Sequence, residues 1–299
     1  MDNLDSLKKD LETTKSLQGI VSTMKSIAAV NIKKYEKVAL NLVKYRSNID
    51  LSMQAILGQN PEIIDYINYI ENTTENDINN RRDLVIIIGS NQGLCGRFND
   101  RVVSFYMDNH ENDLNGYIIT IGDRINMMLN GQHIKINKHF SVPNSMDNVV
   151  NLVYDLFTIA EDFLKKNILR KILVYYTSYG SSVSGNMVKS RIAPLERKYF
   201  EKLKKTNWPT NNIPFWRIDT KTIISDLVQQ YIFASLYHTI VNSMTAEQKN
   251  RLITLQGTEE NIKNHIVENN LKYNQLRQNI ITSELIDVVS GARFLKKKK

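Results

Sequence analysis

The chain has 299 residues, 42% of them hydrophobic and 23% charged, with 39 Lys and Arg against 31 Asp and Glu for a formal net charge of +8. That composition excludes wholesale disorder, and the length suits about two globular units or one unit with an extended element. The charge excess is +3 in 1–57, +2 in 58–221 and +3 in 222–299, so it marks a basic tail, Lys296 to Lys299, and no basic domain.

The first predicted element is a long amphipathic helix. Apolar positions recur at Leu17, Ile20/Val21, Met24, Ile27/Ala28, Ile32, Tyr35, Val38, Leu42, Tyr45, Ile49, Met53 and Ile56, a spacing close to 3.6. Asp2 or Asp5 is placed to cap it, and Gly58 and Pro61 to end it. At about 1.5 Å per residue it is roughly 80 Å long.

All five prolines, Pro61, Pro143, Pro194, Pro209 and Pro214, fall in the stretch that follows, where the pattern changes to short β-rich runs alternating with helices. Strands are expected at 83–88, 116–121, 134–139, 171–176, 187–192 and 215–218, and helices at 99–109, 123–130 and 146–166. This alternation predicts an α/β layer with a mostly parallel, Rossmann-like sheet.

The last element is again helical, from about 222 to 288. Leu252, Leu255, Glu259, Ile262, Ile266, Asn269, Tyr273, Leu276 and Ile280 step alternately by three and four, which is heptad spacing. Glu259 and Asn269 weaken such a seam while helping to set its register. Two proline-free helices that each expose an apolar stripe are expected to pair as a long antiparallel coiled coil carrying the α/β domain as an insertion. The expected division is 1–58, 59–221 and 222–299. No apolar run approaches the roughly 20 residues of a bilayer span. The start, Met1-Asp2-Asn3-Leu4-Asp5, lacks the plan of a secretion signal.

Candidate chemistry is sparse. Gly89-Ser90-Asn91-Gln92-Gly93-Leu94-Cys95-Gly96 follows the first strand, where an open α/β sheet binds nucleotides. Arg97-Phe98 nevertheless stands where a phosphate loop needs Lys-Ser/Thr. Gly93, Cys95 and Gly96 therefore read as a structural turn, with Cys95 a buried thiol of a reducing compartment. His110, His133, His139, His238 and His265 show no metal-ligand spacing, and no cofactor is expected. Two alternatives remain: a nucleotide-binding α/β enzyme with coiled-coil arms, and a coiled-coil nucleic-acid-associated protein.

Three segments carry a family resemblance. Met24-Lys25-Ser26-Ile27-Ala28-Ala29, Gln92-Gly93-Leu94-Cys95-Gly96-Arg97-Phe98-Asn99, and Tyr273 to Leu285 continuing through Ala292 resemble segments of the γ subunit of F-type ATP synthases. Val30-Asn31-Ile32 and Leu255-Gln256-Gly257-Thr258-Glu259 look closer to its alternative, N-ATPase-like lineage. Departures fall at Asn91-Gln92, where the family has an acidic then a basic residue, and at Lys249, Thr254 and Gly257. The resemblance implies a non-catalytic central-stalk rotor that couples ion-driven rotation to conformational change in the catalytic β subunits. It implies as partners the α and β subunits, the epsilon subunit and the c-ring of the membrane sector, with no nucleic acid and no membrane insertion. It implies a peripheral location on the cytoplasmic face of a bacterial inner membrane, or the matrix side in a mitochondrion. By the same resemblance Met24, Lys25, Arg277, Gln278 and Thr282 meet β-subunit loops, and Gly291, Ala292, Phe294 and Leu295 form the bearing tip.

Overall fold

A computed structural model describes residues 4–60, 81–110, 116–179, 185–212 and 214–296, with side chains to 291. The elements run α1 (Leu4–Gln59), β1 (Arg82–Ile88), α2 (Phe98–Asn109), β2 (Tyr117–Ile121), α3 (Asp123–Gly131), β3 (Lys138–Phe140), α4 (Met146–Lys165), β4 (Leu169–Ser178), β5 (Asn186–Ala193), α5 (Arg197–Lys205) and α6 (Thr220–Lys296). The chain divides into two units, Met1–Ala29 with Arg251–Lys299, and Val30–Asn250.

The larger unit is built on a five-stranded sheet of order β3-β2-β1-β4-β5. The first four strands are parallel and β5 pairs antiparallel with β4. β1 is buried on both sides, as expected of a central parallel strand. Strand alternation sends Leu84, Ile86 and Ile88 into a core with Val149, Val153 and Leu156 of α4 and with Ile240 and Val241 of α6. Val85 and Ile87 face Val102, Tyr106 and Ile125 on the opposite side. Across β1 and β4 the Arg170 guanidinium donates to both Asp83 carboxylate oxygens, at 2.7 and 2.8 Å, with the Asp83 side chain only 3% exposed. Burial between two packed layers explains why α6 is covered on nearly every face from Tyr231 to Gln248. A third core joins Ile49, Met53 and Leu57 of α1 to Phe200 and Leu203 of α5 and to Tyr231 and Ala234 of α6.

In the smaller unit α1 and α6 pair antiparallel, since Asp10 meets Asn269 while Lys25 meets Glu259. On α1 the covered positions include Leu4, Leu7, Leu11, Thr14, Gln18, Val21, Lys25 and Ala28, stepping by three and four. On α6 they are Leu252, Leu255, Glu259, Ile262, Ile266, Asn269, Tyr273 and Leu276. Each fully covered aliphatic, such as Leu11 and Leu255, contributes about 1.5–3 kcal/mol.

Four expectations are corrected. The α1 stripe follows a heptad, and a 3.6 spacing drifts off it, so Leu17 and Tyr45 are exposed, and of the pairs Ile20/Val21 and Ile27/Ala28 only Val21 and Ala28 are buried. Ile280, at the end of the α6 seam, is exposed as well. The third strand covers only Lys138–Phe140, because His133 turns left-handed at φ 59° and the Ile134 N–H returns to the Leu129 carbonyl, closing α3. No strand forms at 215–218. That stretch leads into α6, where the Asp219 carboxylate accepts from the Lys221 and Thr222 N–H groups at 3.1 and 3.3 Å. Helix α5 was not anticipated. Asp5 lies inside α1 and Gly58 within its last turn, while Asp2 and Pro61 lie outside the described residues.

Candidate functional site

The glycine loop is the place to look for chemistry, and the side chains of Ser90, Asn91 and Asn99 are engaged within the fold. The Ser90 N–H donates to Asn99 Oδ1 at 3.0 Å, and Asn99 Nδ2 returns to Ser90 Oγ at 2.8 Å and lies 3.7 Å from Cys95 Sγ. Cys95 is 1% exposed and packs with Phe98 and Ala246. Asn91 accepts at Oδ1 from the Val142 and Asp123 N–H groups, at 2.7 and 3.3 Å, and donates from Nδ2 to the Val142 carbonyl at 2.8 Å. Loop donors held in this way are not aimed at a phosphate. The departure at Asn91 is informative, because a carboxylate at that position has no N–H for the Val142 carbonyl.

Backbone geometry sorts the loop glycines. A Cβ at Gly89 would stand 2.4 Å from Ile125 Cβ and 2.7 Å from Asn99 Oδ1, whereas Gly93 has open space around it. The left-handed turns fall at Leu94, φ 62°, and Gly96, φ 59°. Beside the loop, Asp123 accepts from Ser141 Oγ at 2.7 Å and lies 2.9 Å from His139 Nε2. The Ser141 bond and then His139 hold its carboxyl below the ordinary carboxylate range. Among the described residues no group of three His, Cys, Asp or Glu side chains is arranged to hold a metal.

The helix pair supplies a different kind of site. In the smaller unit the Lys25 ammonium donates to Glu259, whose second carboxylate oxygen lies 3.3 Å from Lys263. The Lys25 bond and then Lys263 keep the Glu259 carboxyl below its ordinary 4.5. Asn269, 5% exposed, donates to Asp10 Oδ2 at 2.6 Å. Both polar members of the predicted seam thus meet a polar partner on the facing helix. Met24 and Lys25 are half-buried, and Arg277, Gln278, Thr282 and Gly291 are exposed. The Thr282 hydroxyl donates to the Gln278 carbonyl at 2.8 Å. The side chains of Ala292, Phe294 and Leu295 lie outside the described residues. The structure therefore brings Lys25 to Glu259, while Arg277, Gln278 and Thr282 share an outward stretch of α6.

Sequence reasoning missed a second polar cluster, in the larger unit. Arg46 donates to the Tyr231 hydroxyl and lies 4.6 Å over its ring, and the Tyr199 hydroxyl donates to Asp50 Oδ1 at 2.5 Å. Arg46 and Asp50 are one helical turn apart, and that i, i+4 spacing was the available signal. Farther along, Lys249 bridges Glu36 at 2.5 Å and covers the Tyr179 ring. The lysine that departs from the family pattern thus has two partners.

A family model described as ATP synthase matches residues 3–295. The ATP synthase gamma chain of Mycoplasma mycoides subsp. mycoides SC is 27% identical over 295 residues, covering 98% of this chain and 99% of that one. The gamma chain of Campylobacter jejuni is 25% identical over 306 residues, covering 99% and 100%. Among solved structures, a chain of the Euglena gracilis mitochondrial ATP synthase OSCP/F1/c-ring assembly superposes with a TM-score of 0.62 at 14% identity, over 98% of this chain and 94% of that one. A chain of the rotor of the same enzyme gives 0.61 at 13% identity, over 93% and 98%. These last two likenesses establish the fold.

Proposed function

From the premise that this chain belongs to the ATP synthase gamma-chain family, and is a non-catalytic central-stalk subunit, we propose that its smaller unit is the torque-bearing part. The observation that carries this reading is the antiparallel seam with its two polar cross-links, Lys25 to Glu259 and Asp10 to Asn269. A shaft must not slip along its own length. A heptad seam resists slippage through its repeat, and each polar cross-link at the seam penalises every other register. The residues that act on a partner are then those facing outward.

Arg277, Gln278 and Thr282 are assigned to loops of catalytic β subunits. The planar guanidinium suits a contact that forms and releases paired charge-assisted bonds with carboxylates. Lys25 takes part only by exchanging Glu259 for a β-subunit carboxylate, and Met24 lines that place. Gly291, Ala292, Phe294 and Leu295 are assigned to the bearing at the end of α6. Of the segments 1–58, 59–221 and 222–299, the middle one is assigned to the epsilon subunit and the c-ring, and the outer two to the α and β subunits. The mechanism is a bias of conformational populations, in which the turning helix pair favours one state of each β subunit at a time. The location is peripheral, at the membrane that holds the c-ring; no helix of the described chain is long and apolar enough to cross a membrane.

Reconstitution tests this. The chain alone hydrolyses no ATP and restores rapid turnover to α and β subunits; a hexamer that turns over equally fast without it would sink the reading. Arg277→Ala lowers the restored rate about tenfold, the value of one charge-assisted hydrogen bond, with an unchanged thermal midpoint.

A further inference from the structure

Between its aliphatic contacts with the sheet, α6 buries small residues. Thr239, Ser243, Thr245 and Ala246 are all covered, and the Thr239 and Thr245 hydroxyls donate to carbonyls of their own helix, Leu236 at 2.9 Å and Val241 at 2.7 Å. Small side chains make shallow ridges, and helices packed through them can slide against their neighbours. The last turn of α6 within the larger unit, 246–250, is held differently. Ala246 packs with Cys95 and Phe98, and Asn250, one turn on, accepts from Arg101 of α2 at 3.1 Å. Lys249 donates to Glu36 of α1 at 2.5 Å and lies over the ring of Tyr179, the residue that follows β4.

This contact differs from a surface ion pair. The Lys249 side chain is only 14% exposed, against 44% for Glu36. An exposed pair contributes little and tolerates many geometries, whereas an ammonium withdrawn from water loses hydration that only close partners offset. Here a carboxylate takes one side of the ammonium and the negative face of an aromatic ring takes another. A slip of α6 by one turn moves the ammonium about 5.4 Å, far enough to lose both. The two partners therefore admit one register, which the small residues upstream do not choose.

We propose that Lys249 is the pin that holds α6 in register within the α/β domain, with Glu36 and Tyr179 as its socket, and that it is thereby a positioning residue for passing torque between that domain and the helix. Lys249 is one of the departures from the family pattern, so the pin belongs to this chain. The register claim stands on the larger unit alone. The torque claim rests on the stalk reading above and deepens it, because a helix free to shift in its domain delivers less of the rotation applied to it.

The test reads α6 through Cys95, the sole thiol of the chain, which packs with Ala246 in the pinned turn. In the full chain, K249Q is expected to speed Cys95 labelling about tenfold, the size of a partly desolvated cation–π contact. That labelling should depend only weakly on urea, because a helix shift exposes far less surface than global unfolding. K249R restores the wild-type rate. Y179L acts like K249Q, and the double variant is no faster than the faster single one, since both changes remove the same contact. In the complete membrane-bound complex, K249Q lowers the number of ions transported per ATP hydrolysed and K249R does not. The proposal is overturned if K249Q leaves labelling unchanged, if the added labelling has the steep urea dependence of global unfolding, or if Y179L adds fully to K249Q. It is equally overturned if labelling rises while ions per ATP stay at the wild-type value. Failure of the wild-type chain to restore ATPase to α and β subunits counts against the stalk reading instead, and leaves the labelling results to decide the register.

Discussion

In the smaller unit Lys25 and Asn269 sit in a helix seam and each reaches a carboxylate on the other helix. In the larger unit Asn91 and Asn99 bond to neighbouring loop groups within a fold that is packed on both faces of a sheet. The first arrangement specifies which turn of α1 faces which turn of α6. The second sets a short loop so that Phe98 and Cys95 reach Ala246. Burial depth separates them: β1 is covered on both sides, while the seam is one stripe wide and α6 is exposed from 277 to 291. Deep packing stabilises without choosing a register among near-equivalents, and a narrow apolar stripe chooses only when polar groups interrupt it.

The largest expected effect therefore lies in the larger unit. Phe98→Ala removes a ring with no exposed surface and costs about 3–5 kcal/mol, read as a shift of the urea midpoint; a shift equal to that of an exposed alanine substitution would break the contrast. Gly89→Ala comes next. Its Cβ would overlap Ile125 Cβ and Asn99 Oδ1, and both groups are fixed by their own packing, so about 1–3 kcal/mol is lost. Crowding Asn99 also loosens its bonds to Ser90, and Cys95, 1% exposed, becomes faster to label with a thiol reagent.

The seam responds to protonation more than to volume. The Glu259 carboxyl is held below 4.5, chiefly by Lys25. A depressed carboxylate contributes stability that is complete above its unfolded value and is lost as pH falls through its folded one. The wild-type chain should therefore lose helical signal on acidification through pH 4 and below, and the K25L and E259L double variant should lose less. That double variant should also melt higher than either single one, since removing one partner leaves a charge in the seam while removing both leaves an apolar seam. Equal acid sensitivity of the wild type and the double variant would show that the pair sets nothing.

How much of this was legible in the sequence depended on the kind of pattern. The α6 seam was readable position by position to Leu276, because a strict three-four repeat has one solution. The polar interruptions at Glu259 and Asn269 stood out against it. The α1 stripe was misphased at Leu17, and of the paired positions Ile20/Val21 and Ile27/Ala28 the second of each is the buried one, since the true stripe also passes through Thr14, Gln18 and Lys25. Sheet strands with long β-branched runs were found, whereas Lys138–Phe140 was displaced because Ile134 and Ile136 pack beside a helix end and pair with no strand. Asn91 stood out only as a departure from the family pattern and Asn99 only as part of the matching segment; the bonds of Asn91 left no local signal, because a side chain that bonds to a residue 51 positions away has no periodicity. The outward site residues of α6 were legible only through resemblance; exposure alone does not distinguish Arg277 from any other solvated arginine.

The smallest effect is at Gly93, which the motif makes look as necessary as its neighbours. Glycine is required where φ is positive or where a Cβ has no room. Gly96 meets the first condition and Gly89 the second, but Gly93 meets neither. Gly93→Ala should leave stability within about 0.5 kcal/mol of the wild type or raise it slightly by restricting the unfolded chain. Measured beside Gly89→Ala, it separates a glycine that the fold of the loop demands from one that it does not. If Gly93→Ala alone impairs ATPase in the reconstituted complex while stability is unchanged, the open space at that position belongs to a partner, and its place in the motif is explained by assembly.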